Sequence, residues 1–115
     1  MKGLIIKSPW IEYILNNEKT WEIRGTSTTT RGPIFLIKSG SEFIYGECDI
    51  VDCIELDYND YKNNVDKHHI SQITDGILPY KNTYAWVLKN VKKYDKPIKY
   101  QKRPGAIVWV NVESF

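Results

Sequence analysis

The stretch Asn17-Glu18-Lys19-Thr20-Trp21-Glu22-Ile23-Arg24-Gly25 decides how the rest of the chain is read. If Thr20 to Arg24 is a strand, its side chains alternate, so Trp21 and Ile23 project from one face and Glu22 and Arg24 from the other. Opposite charges on one strand face have two explanations. One is a solvated or half-buried ion pair; the other is a ligand site in which Lys19, Glu22 and Arg24 converge.

Upstream, Gly3 to Lys7 is a short apolar run that reads as a strand. Ser8-Pro9-Trp10 then opens a helix, with Ser8 placed to cap free backbone N–H groups, Pro9 suited to the first helical position, and Glu12 near the positive helix end. Trp10, Ile11, Ile14 and Leu15 share one helical face, and Asn16-Asn17 suit a stop because asparagine tolerates the left-handed conformation. The helix delivers the chain directly to Lys19.

Downstream, residues 25–32 form a polar loop of hydroxyls between glycines, and Pro33 to Ser39 reads as a strand buried on both faces. Phe43 to Leu56 alternates for so long that the strand should bend, with Gly46 or Val51-Asp52 as the place for a bulge. Asp57 to Pro79 is polar and acidic, and predicts one or two short helices with a turn at Asp75-Gly76. Tyr84 to Val91 is a further strand, Lys96-Pro97-Ile98 an extended segment, Pro104-Gly105 a turn, and Ala106 to Val112 a final strand. About six strands, one early helix and one helical excursion make no βαβ repeat. They predict an α+β, mainly β fold: a small mixed barrel with helices packed on it.

A chain of 115 residues has room for one core, so residues 1–115 are read as a single domain. Apolar residues at 42% and aromatics at 13% argue against disorder and for an aromatic-rich core, with Trp10, Trp21 and Trp109 read as part of it. No apolar run approaches a bilayer span, and the N-terminal run is too short for a signal sequence, so a cytoplasmic protein away from membranes is expected. Cys48 and Cys53 fall on opposite strand faces unless a bulge intervenes, which makes reduced thiols the expectation. His68 and His69 are adjacent and diverge, so they read as surface residues, and neither a metal nor a cofactor is expected.

Charge is segregated. Residues 1–40 carry six Lys/Arg against three Asp/Glu, residues 41–82 three against nine, and residues 83–115 seven against two. A fold that gathers its terminal segments acquires a basic face suited to phosphates.

The order Ser8-Pro9-Trp10, helix, Asn17 to Arg24, then Gly46-Glu47-Cys48-Asp49-Ile50-Val51-Asp52-Cys53, Tyr84-Ala85-Trp86-Val87-Leu88 and Trp109 resembles the ASCH family (activating signal cointegrator homology) along nearly the whole chain. That family has a PUA-like β-barrel, and its hallmark resembles G-x-K-x-x-E-x-R; here Asn17 stands at the glycine, a residue that also accepts positive φ. The resemblance implies a cleft between the first helix and the barrel. Lys19, Glu22 and Arg24 would line it, with Ser8 and Trp10 at the helix start, Lys38 and Ser39 at a neighbouring strand end, and Tyr84 and Trp86 as an aromatic surface or as core.

These residue types suit RNA, a nucleotide or a modified nucleoside. Arg24 can grip phosphate or a base edge, Lys19 supplies a point charge, Glu22 accepts from an exocyclic amine, and an aromatic ring stacks on a base. Two enzyme alternatives follow from the resemblance, with Lys19 and Glu22 as the candidate catalytic residues: hydrolysis of an acylated nucleoside such as N4-acetylcytidine, for which this chain keeps Lys19, and RNA cleavage, with Glu22 as base and Lys19 or Arg24 as the cation. The first uses a threonine where this chain has Glu22, and the second needs a base that two flanking cations weaken. Binding is therefore the first expectation. A third alternative is a protein-interaction module whose contact surface is the acidic middle segment.

Overall fold

The computed structural model describes residues 1–102 and 104–113; Arg103, one of the basic residues of the C-terminal segment, lies outside them. The strands are β1 (Lys2–Ile6), β2 (Trp21–Arg24), β3 (Gly32–Lys38), β4 (Phe43–Leu56), β5 (Thr83–Lys99) and β6 (Trp109–Asn111). They form one mixed sheet in the order β2-β5-β4-β3-β1-β6. β1 and β3 run parallel, and the crossover between them contains α1 (Trp10–Leu15) and β2. The other pairings are antiparallel. The helices α2 (Tyr58–Lys62) and α3 (Val65–His68) fill the excursion between β4 and β5. The fold is mainly β with a few short helices.

The sheet curls on itself. Trp86 of β5 and Trp109 of β6 are four positions apart in the strand order, roughly 19 Å in a flat sheet, yet their rings stack with centroids 5.7 Å apart. The gap between the outlying strand β2 and β1 is bridged by a side chain, Arg24, whose Nη2 donates to the Ile5 carbonyl at 2.9 Å. Bending is concentrated where register shifts interrupt the β4–β5 ladder, at Ile44/Gly46, Glu47/Asp49 and Ile50/Asp52. Gly46 is needed there, because a Cβ would sit 2.5 Å from the Lys92 carbonyl and 2.7 Å from Leu15 Cδ2. Both places expected to bend do so.

Inside the curl, Leu4, Ile6, Ile34, Leu36, Ile50 and Leu88 pack with Ile11, Ile14 and Leu15 of α1. The outer faces are covered in turn. Trp21 and Ile23 pack with Leu56, Tyr61 and Ala85, while Phe35, Ile37 and Ile44 pack with Tyr100, Val110 and Val112. Both faces of β2 are therefore buried, and its charged face is the inner one. Among the described residues no helix is long and apolar enough to cross a membrane, and Cys48 and Cys53 are unpaired thiols.

Three expectations are corrected by the fold. β5 runs on to Lys99 as one strand rather than stopping at Val91, because Asn90 takes a positive φ of 58° and absorbs the irregularity in the ladder. β6 is only Trp109–Asn111; residues 106–108 leave the ladder and line the cleft described below. At the start of α1, Pro9 is the N-cap after a cis peptide, and Ser8 caps no backbone group: its hydroxyl donates to Glu12 Oε2 at 2.8 Å. The asparagine stop holds, with Asn17 at φ 61°.

Candidate functional site

Glu22 is the hub of the charged face. Its Oε2 accepts from Arg24 Nε at 3.0 Å and Nη2 at 2.8 Å, while Oε1 lies 3.7 Å from Lys19 Nζ. Strand alternation puts Glu22 and Arg24 together, and the left-handed turn at Asn17 returns the chain so that Lys19 reaches them. Lys19 is only 1% exposed and Glu22 5%. Arg24 is partly exposed, stacks over Trp86 with Cζ 5.6 Å from the ring, and closes the β2–β1 gap.

A buried ammonium needs an acceptor, and the helical excursion supplies it: Lys19 Nζ donates to the His68 carbonyl at 2.6 Å. His68 is itself buried, which corrects its reading as a surface residue. Its ring stacks on Tyr61 at 4.5 Å, Nε2 lies 2.7 Å from the Tyr61 carbonyl, and Nδ1 accepts from the Ile70 N–H at 2.9 Å. That pattern requires the neutral imidazole with its proton on Nε2, and burial lowers the His68 pKa in the same sense. His69 turns away at φ 60° and faces Tyr13. No group of His, Cys, Asp and Glu among the described residues could hold a metal ion.

Burial holds the Lys19 pKa down to about 8 from 10.5, against the opposing pull of Glu22. The unfolded chain keeps that proton to about 10.5, so between the two values the folded form binds fewer protons and stability rises with pH. Cys48 acts oppositely, because burial lifts its thiol from 9.0 to about 12. A Lys19→Met variant retains Cys48 and separates the two effects. The parent should gain stability relative to Lys19→Met as pH rises through the window from about 8 to 10.5, measured by denaturant unfolding; a pH-independent difference contradicts the assignment.

The trio lies at one side of a cleft of about 600 Å³ at the β2–β1 seam. Trp10, Lys38 and Ser39 also line it. Ser8 is one step removed, linked through Glu12, whose Oε2 lies 3.5 Å from Lys38 Nζ. Tyr84 and Trp86 pair with Arg24 and Glu22 across the ladder but are not lining residues; Trp86 is buried in the core and Tyr84 packs against it. Lys7, Tyr80, Lys102 and Ile107 line the cleft without having been singled out from the sequence. They come from four separate segments, and only the basic character of both chain ends hints at the two lysines.

In charge, the lining has five cations, Lys7, Lys19, Arg24, Lys38 and Lys102, against the single carboxylate of Glu22. Lys7 and Lys102 form no ion pair with any described residue. Glu22 Oε1 is engaged only by the 3.7 Å ion pair to Lys19 and keeps lone pairs for a further donor. An anion with a planar, amine-bearing portion fits this set.

Residues 4–98 match the family described as ASCH domain. No curated protein gives a significant sequence match. Among solved structures, the crystal structure of ASCH from Zymomonas mobilis is 14% identical with a TM-score of 0.69, over 85% of this chain and 72% of that one. A serine-to-alanine mutant of the Zymomonas mobilis protein is 12% identical with a TM-score of 0.67, over 96% and 87%. A tyrosine-to-phenylalanine mutant of it gives 13% and 0.61, over 85% and 74%. At these identities the likeness is one of fold.

Proposed function

The chain belongs to the ASCH domain family, and from the charge of its cleft we propose that it binds RNA or a nucleotide there. The observation that carries the proposal is the lining of five cations against one carboxylate beside Trp10 and Tyr80. Such a set attracts phosphate by charge and a base by its π face. Lys7, Lys102 and Lys38 supply the phosphate contacts, since Lys19 and Arg24 are held by the buried Glu22 whereas Lys38 makes only an exposed pair with Glu12. Glu22 Oε1 accepts from an exocyclic amine of the base. On this reading the protein works in RNA metabolism in the cytoplasm, in keeping with its two free thiols.

Hydrolysis has one observation in its favour, the lowered pKa of Lys19. Against it, the Lys19 amine is spent on the His68 carbonyl, and Glu22 stands where the acyl-nucleoside hydrolysis implied by the resemblance would use a threonine. Binding is the better-supported reading. Its test is the salt dependence of binding to a short single-stranded RNA. Lys38→Ala and Lys102→Ala should each weaken binding and reduce the slope of log K against log salt by about 0.7. Unchanged affinity and slope in both variants contradicts the proposal.

A further inference from the structure

Tyr80 lines the cleft and is 47% exposed, whereas the other aromatic lining residues, Trp10 and Tyr100, are partly or fully buried. An exposed ring usually samples several rotamers, but this one is seated. The Tyr80 N–H donates to Thr83 Oγ1 at 3.3 Å, and that hydroxyl donates back to the Tyr80 carbonyl at 3.0 Å, with Thr83 wholly buried. The ring lies on Gly25, where a Cβ would come 2.9 Å from Tyr80 Cδ1 and 3.0 Å from Cγ. Gly25 has no positive φ to explain it. Its missing side chain is what lets the ring settle beside Arg24.

The other side of the seam carries apolar side chains among its lysines. Ile107 is 80% exposed, and its neighbour Val108 is tied to β1 because the Val108 carbonyl accepts from the Ile5 N–H at 2.9 Å. The Ile5 carbonyl in turn accepts from Arg24 Nη2. Arg24 thus connects the two lips: Tyr80 on the β2 side, Ile107 and Val108 on the β1 side.

We propose that Tyr80 is a stacking platform for one unpaired nucleobase, with Ile107 as the opposite apolar wall, so that the cleft takes single-stranded rather than duplex nucleic acid. This rests on the binding reading above and adds a specificity determinant to it. Apolar side chains in a cleft that is also lined by cations suit a ligand that is both flat and anionic. Phosphate alone has no use for the lips. A paired base cannot enter between them without leaving its stack.

The test compares a short oligocytidylate with an oligomer of the same length whose residues are all abasic, by fluorescence polarisation. The parent should prefer the base-bearing oligomer by about tenfold or more. Tyr80→Ala should abolish that preference while leaving abasic affinity in place, Tyr80→Phe should keep it, and Gly25→Ala should reduce it by displacing the ring. If Tyr80→Ala retains the preference, or the parent binds both oligomers equally, the platform is overturned while cleft binding stands. If the parent binds neither oligomer, the binding reading fails and the platform with it.

Discussion

Glu22→Gln lowers the free energy of unfolding by about 3 kcal/mol, because it leaves the buried Lys19 ammonium without its only nearby opposite charge among the described residues and weakens the Arg24 pairing. The amide fills the same space, so no cavity contributes. The His68 carbonyl still accepts from Lys19, but a neutral acceptor offsets a buried charge only in part. Replacing Lys19 by Met in the same protein should recover part of the loss, since the uncompensated charge then disappears. Denaturant unfolding of parent, single and double variants reads both effects. A Glu22→Gln variant as stable as the parent would mean that the trio is effectively solvated.

Trp86→Ala is expected to be more damaging, by about 4 kcal/mol. Its ring is buried in the inner core, stacks on Trp109, carries Arg24 over one face, and donates from Nε1 to the Thr26 carbonyl at 2.9 Å. Truncation opens a large cavity where the curled sheet meets itself and leaves the Thr26 carbonyl without that donor. Binding should fall as well, because Arg24 loses the surface that holds it at the seam. Trp86→Phe should retain most of the stability, as a ring remains and only the hydrogen bond and some volume go. A small effect of Trp86→Ala in unfolding experiments would contradict the role of this residue in closing the fold.

The same two residues mark how far the sequence can be read. Alternation in Trp21-Glu22-Ile23-Arg24 is enough to put the charges together, and the length of Phe43 to Leu56 is enough to predict a bent strand with those bounds. Alternation does not say which face is inside when both are covered, and β2 packs on one side against Tyr61 and Leu56 while on the other Arg24 lies over the Trp86 ring. That is why Tyr84 and Trp86 fall in the core rather than on the cleft. The full length of β5 is hidden because Lys92 to Lys99 is mostly charged and exposed, with only Tyr94 and Ile98 half-buried to mark an inward face. His68 gives no local sign of burial; its partners Tyr61 and Lys19 are seven and 49 residues away. The lips at Tyr80 and Ile107 are unreadable for the same reason: they are brought together by the closing of the sheet.

If RNA enters the seam cleft, titrating the isotope-labelled protein with a short single-stranded RNA perturbs the backbone amide signals around it. The largest shifts are expected at residues 7, 19–25, 38–41, 80, 102 and 106–108, which surround the cleft. Shifts confined to the acidic α2–α3 excursion, or a spectrum that does not respond to RNA, would contradict it.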